Sequence, residues 1–159
     1  MAKRCGDTLL FSSAPVIGAF AAVGGKREGE GPLAGGFDAL YGDNALGEKS
    51  WEKAESVLLE DAARRCLKKG GTAPDAVDLA LTGDLQAQCT ASGYAMRQLG
   101  VPFAGIYGAC STMAESLGLA AALCGTGLCS RVLAGASSHF CAAERQFRTP
   151  LEYGAKRTP

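Results

Sequence analysis

The chain has 159 residues, with 16 Lys+Arg against 16 Asp+Glu, so its formal net charge is zero. That balance excludes nucleic-acid binding by bulk charge. With 47% hydrophobic and only 20% charged residues, disorder is excluded as well, and the length suits a single domain over residues 1–159.

Lys3 and Arg4 precede an apolar run at 9–23 that has the outline of a secretion signal. Asp7, Ser12, Ser13 and Pro15 interrupt it, so secretion is not expected. No stretch reaches the roughly 20 continuous apolar residues of a membrane span. Residues 16–23, short and apolar, read as a buried strand that stops at Gly24-Gly25. Residues 24–50, with glycines at 29, 31, 35, 36, 42 and 47, read as a long loop of the kind that often carries function. Ser50 caps a helix from Trp51, with Ala54, Val57, Leu58, Ala62 and Leu67 as its apolar face and Gly70-Gly71 as its stop.

A second strand is predicted over 77–82 and a second helix over 86–99, closed by Gly100 at its C′ position. A third strand follows at 102–107, a third helix at 111–128 and a fourth strand at 131–136. From Ser137 onward the chain reads as a polar loop containing Arg145, Arg148, Pro150 and Gly154. The alternation βαβαβαβ predicts an α/β fold with a mostly parallel sheet and helices on both faces. Ligands of such sheets bind where the strands end. That edge collects Lys26, Asp84, the turn at Cys110 and the segment Ser137-Ser138-His139. Helix 111–127 is apolar or small on every face and carries one charge, Glu115. A helix apolar all round is buried all round, so a second domain or a second copy is expected to cover it.

The seven cysteines, 5, 66, 89, 110, 124, 129 and 141, form no CxxC pair, and His139 is the sole histidine. Neither a zinc site nor any other metal site is expected, and reduced thiols in a cytosol-like compartment are. Two glycine motifs fail. The sequence 29–34 fits GxGxxG/A, but no strand ends before it, and Glu28 and Glu30 would repel a pyrophosphate. The sequence 42–50 resembles a P-loop with one residue too many.

The strongest constellation is Gly108-Ala109-Cys110-Ser111 between a strand and a helix. A thiol there faces unpaired backbone N–H groups and the positive end of the helix dipole, which favour thiolate; the alternative is a small cysteine filling a tight turn. His139 follows the next parallel strand and so belongs to the same edge, as a base, an anion donor or an ordinary loop histidine. Arg145 and Arg148, three apart, suit two points on a carboxylate or phosphate, or form a solvated face.

Five segments together resemble the stage V sporulation protein AD family of the thiolase-like superfamily: GEGPL (29–33), WEKAES (51–56), GDL (83–85), GACSTMAES (108–116) and SSHFCAAERQFRTPLEYG (137–154). The resemblance implies two similar halves, each a five-stranded sheet of order 3-2-1-4-5 with the fifth strand antiparallel. The helix after the third strand packs between the halves, which would account for helix 111–127. Cys110 matches the nucleophile of the superfamily's thiolases and ketoacyl synthases. Against that pattern the chain is the first half alone, stopping before its fifth strand. The second half, which supplies the enzymes' histidine or asparagine partners, is missing. Self-association through helix 111–127 is then expected.

What the family implies is binding rather than catalysis, and no cofactor. The expected protein is a carrier of dipicolinate at the cytosolic face of the spore inner membrane, working with the other subunits of a spore membrane channel. The ligand is a small planar dianion. Cys110, Ser111, His139, Arg145 and Arg148 are its candidate contacts, with Lys26 and Asp84 further out. Dipicolinate travelling as its calcium chelate would give Asp84 a role. The competing expectations are an acyltransferase with Cys110 as nucleophile, and a subunit kept for assembly alone.

Overall fold

The computed structural model describes residues 2–85 and 89–148, without the side chains of 2 and 145–148. The expected helix start at 86–88 and the tail at 149–159 lie outside the described residues.

The chain opens with an antiparallel hairpin of β1 (Ala2–Cys5) and β2 (Thr8–Phe11). Its two-residue loop holds Gly6 at φ 60, a conformation that suits glycine. The sequence predicts no strand here; only residues 9–11 fall in the apolar run at 9–23, and the hairpin is an addition. Segment 16–23 corrects an expectation. Only Val23 joins a ladder, as part of β3 (Val23–Gly24), which pairs in parallel with β4 (Ala39–Leu40). Val16, Ile17 and Phe20 are exposed by 87%, 73% and 75%. A buried strand needs partners along its edges and cover on both faces. Here β7 (Val132–Ser137) occupies the place beside β5 (Leu79–Asp84). An apolar groove of about 610 Å3, walled by helix and strand side chains such as Leu117 and Leu133, runs beside segment 15–21. The long loop carries a single-turn helix, α1 (Lys26–Gly29), a 3-10 turn (Ala34–Gly36) and β4.

Helix α2 (Trp51–Lys69) starts as expected, with Ser50 Oγ accepting from Lys53 N at 3.3 Å. Its buried face is turned from the expected one. Ala54, Leu59, Ala63 and Leu67 are buried, while Val57, Leu58 and Ala62 are only half-buried. The stripe at 59, 63 and 67 repeats every four residues and meets α3 (Thr90–Leu99). Gly100 closes α3 at φ 74, its N–H donating to Met96 O, as predicted.

The main sheet has the order β6 (Phe103–Gly105), β5 (Leu79–Asp84), β7 (Val132–Ser137), all parallel. The fourth predicted strand therefore lies directly beside the second, with Leu79 opposite Val132 through Asp84 opposite Ser137. That corrects the expected order, in which the first strand lay between them. The third strand is shorter than predicted. Helices α2 and α3 cover one face and α4 (Thr112–Gly125) the other. The core between α2, α3 and the sheet contains Leu59, Leu67, Ala80, Met96, Leu99 and Leu133. The expected loop after Ser137 is instead a turn followed by α5 (Phe140–Arg148).

Helix α4 buries only Thr112, Ser116 and Ala120, spaced every four residues. Met113, Leu117 and Leu119 stand out by 44%, 39% and 44%. The helix is apolar on every side, and within this chain one side is covered, as the sequence implied.

Candidate functional site

Parallel strands bring their C-terminal ends to one edge. There β5 delivers Asp84, the β6–α4 turn delivers Cys110 and Ser111, and β7 delivers Ser137 and His139. Asp84 lies on the central strand, between the other two groups.

The Cys110 turn is tightly built. Gly83 makes room for it, because a Cβ there would meet Ile106 O at 2.1 Å and Thr112 Cγ2 at 2.8 Å. Ala109 adopts φ 48, which is uncommon for a residue with a side chain and costs strain. Ser111 N–H and Oγ–H both donate to Gly108 O, at 2.9 and 2.7 Å. Thr112 Oγ1 accepts from Gly108 N at 3.1 Å and donates to Ala109 O at 2.9 Å. Both donors of Ser111, an expected anion contact, are thus engaged inside the turn. The turn holds Cys110 in the open, exposed to solvent.

His139 reaches the predicted edge but is 7% exposed, and both ring nitrogens are engaged. Nδ1 accepts from Cys141 N at 3.2 Å, so Nε2 carries the hydrogen and donates to Asn44 O at 2.8 Å. The ring stacks on Trp51 at 5.5 Å between centroids. Among the described residues no hydrogen bond joins His139 to Cys110. The histidine ties the loop at 44, the start of α2 and the start of α5 together.

Asp84 is fully buried, and its Oδ2 accepts from Ser92 N at 3.0 Å and Ser92 Oγ at 2.8 Å, anchoring the first turn of α3. Lys26 is exposed at the start of α1, after β3, outside the three-stranded sheet. Arg145 and Arg148 lie three apart on α5, one helical turn; their side chains are outside the described part.

The sequence reading missed Glu55. It is 1% exposed, and its Oε1 accepts from Ser137 Oγ at 2.8 Å. Burial pushes its carboxyl above the usual carboxylate range. The nearby Asp84 adds to this, while the hydrogen bond from Ser137 and the backbone N–H of His139 oppose it. The signal was present: Glu55 sits four residues before Leu59, at the head of the buried stripe 59, 63, 67.

Residues 5–159 match the family described as Stage V sporulation protein AD. The chain belongs to the stage V sporulation protein AD family. It is 41% identical over 151 residues to Stage V sporulation protein AD of Bacillus subtilis (strain 168), covering 95% of this chain and 45% of that protein. The chain thus spans somewhat under half the length of its curated relative. Its fold is similar to that of the 3-oxoacyl-[acyl-carrier-protein] synthase III of Aquifex aeolicus VF5, with TM-score 0.51, 21% identity, 60% of this chain and 32% of that one. At that identity the likeness shows the thiolase-like fold alone. Among the described residues no helix is long and apolar enough to cross a membrane.

Proposed function

We propose that this member of the sporulation protein AD family binds dipicolinate as a non-catalytic subunit of a spore membrane channel, held at the cytosolic face of the inner membrane by partner subunits. The observation that carries the reading is the pairing at the sheet edge. Cys110 is presented on an exposed strand-to-helix turn, while His139, which could have served it as base, has both ring nitrogens engaged elsewhere. Nucleophilic catalysis asks for a base within hydrogen-bond reach of the thiol. Anion binding asks only for convergent donors at an open edge. Arg145 and Arg148 on α5 are the charged donors of this reading, with Lys26 outside the sheet.

Calorimetric titration with dipicolinate, with and without calcium, tests it. Binding that weakens in an Arg145→Gln/Arg148→Gln double variant supports the proposal; no heat and no competition at millimolar dipicolinate overturns it. The second reading, acyl transfer through Cys110, is favoured by the exposure of the thiol and the strained Ala109 before it. Incubation with acyl-CoA and intact-mass measurement decides that reading: an adduct that Cys110→Ser abolishes establishes it.

A further inference from the structure

Helix α4 carries one charged residue, Glu115, and the fold brings its carboxylate back onto the Cys110 turn. Glu115 is exposed and belongs to the first turn of the helix. A Cβ added to Gly108 would meet Glu115 Oε2 at 2.6 Å and Ser111 Oγ at 2.5 Å. Gly108 thus leaves a cradle, and a carboxylate oxygen lies in it. The backbone does not by itself call for glycine here, since Gly108 has φ −129, which any residue adopts. The missing side chain is what makes room for the two oxygens.

An acid in the first turn of a helix interacts favourably with the positive end of the dipole. That accounts for an acid near the start of α4. It does not account for the cradle, which places the carboxylate beyond the helix end, over the turn that presents the thiol. Cys110 is two residues on from Gly108, so their Cα atoms lie within about 7 Å of each other. Ser111 N–H, Ser111 Oγ–H and Gly108 N–H are all spent inside the turn. An anion arriving at Cys110 therefore meets a carboxylate already in place, and these three donors are not open to it.

We propose that Glu115 determines which charges reach Cys110: its carboxylate, seated over Gly108, holds anions back from the thiol and admits neutral groups. The selection is electrostatic and local. It concerns access to the thiol and holds whatever ligand the sheet edge takes. Across roughly 5–10 Å of water, one charge changes the approach of a singly charged reagent about two- to fourfold at low salt.

Paired alkylation of the full chain reads this charge. Iodoacetate and iodoacetamide both react by the cysteine sulfur displacing iodide, and they differ in charge. Peptide mass spectrometry gives the ratio of their rates at each cysteine. Charges shared by the variants, Arg145 and Arg148 included, cancel when ratios are compared, and so does a change in the thiol's own reactivity. Glu115→Gln should raise the iodoacetate-to-iodoacetamide ratio at Cys110 about two- to fourfold at low salt, and the gain should shrink at about 1 M salt. The ratio at Cys5, exposed on β1, should stay the same. Gly108→Ala keeps the charge and fills the cradle, so it should raise the Cys110 ratio in the same direction by less. An unchanged Cys110 ratio in Glu115→Gln, or an equal rise at Cys5, overturns the proposal. No rise in Gly108→Ala overturns the cradle as the means of holding the carboxylate there.

Discussion

Gly83→Ala tests how the Cys110 turn is held. An added Cβ would lie 2.1 Å from Ile106 O, and real Cβ atoms do not come within 3.0 Å of such neighbours. The turn must therefore retreat from β5 by about 0.9 Å, and the obstacle is backbone, which cannot rotate aside as a side chain does. Retreat strains the Ile106 N–Thr82 O bond at 3.1 Å and the Cys89 thiol contact to Ile106 O at 3.5 Å. Overpacking of this kind costs about 1–3 kcal/mol, and a weakened backbone hydrogen bond about 1 kcal/mol more. The expected loss is about 2–4 kcal/mol, a large share of the roughly 5–15 kcal/mol a domain has. Urea unfolding followed by circular dichroism measures it. Native-state alkylation of Cys110 should change in rate as well, because the thiol rides on the displaced turn. A variant within about 0.5 kcal/mol of wild type, with unchanged alkylation, would refute the argument that Gly83 sets the position of the turn.

Three further outcomes follow from the same geometry. His139→Ala removes two hydrogen bonds and a ring stack, and should cost about 2–3 kcal/mol in urea unfolding; a change below about 0.5 kcal/mol would mean the ring does not staple α2 to α5. Asp78 accepts from Arg131 N and Ser130 N, which in that order hold its carboxyl below the usual range. Its folded-state pKa is depressed, so its stabilisation is present above the ordinary carboxylate pKa and is lost as pH falls through the lower folded value. The melting curves of wild type and Asp78→Asn should therefore lie apart at pH 6 and converge as pH falls below the ordinary carboxylate range, and a constant gap would count against this. Leu117→Lys, on the exposed side of α4, should reduce self-association in sedimentation velocity while leaving the melting midpoint nearly unchanged; association that persists would place the contact elsewhere.

Much of the architecture was legible because it rests on local chemistry. Ser50 as a cap, Gly100 as a left-handed stop and the parallel strands at 79–84 and 132–137 follow from side-chain hydrogen bonding, backbone freedom and apolar runs. The all-round apolarity of the helix at 112–125 likewise announced a surface this chain does not cover by itself. The family was carried by two long segments around Cys110 and His139, where several residue identities are needed at once.

What the tertiary structure decided concerns partners distant in sequence. Segment 16–23 is apolar enough for a buried strand, yet whether it pairs depends on which strand stands beside β5, and β7 does. α5 begins where polar residues suggested a loop, because His139, Trp51 and Asn44 meet there from three separate parts of the chain. Glu55 is a surface residue by type and a core residue by position, since helical periodicity sets it above Leu59 and Ala63. The order of residues says which groups can ionise, donate or cap; only the packing of α2 and α3 onto the sheet takes Glu55 and Asp84 away from water. Desolvation depends on that burial, which is set by elements far apart in the chain and is not written in the order of the residues.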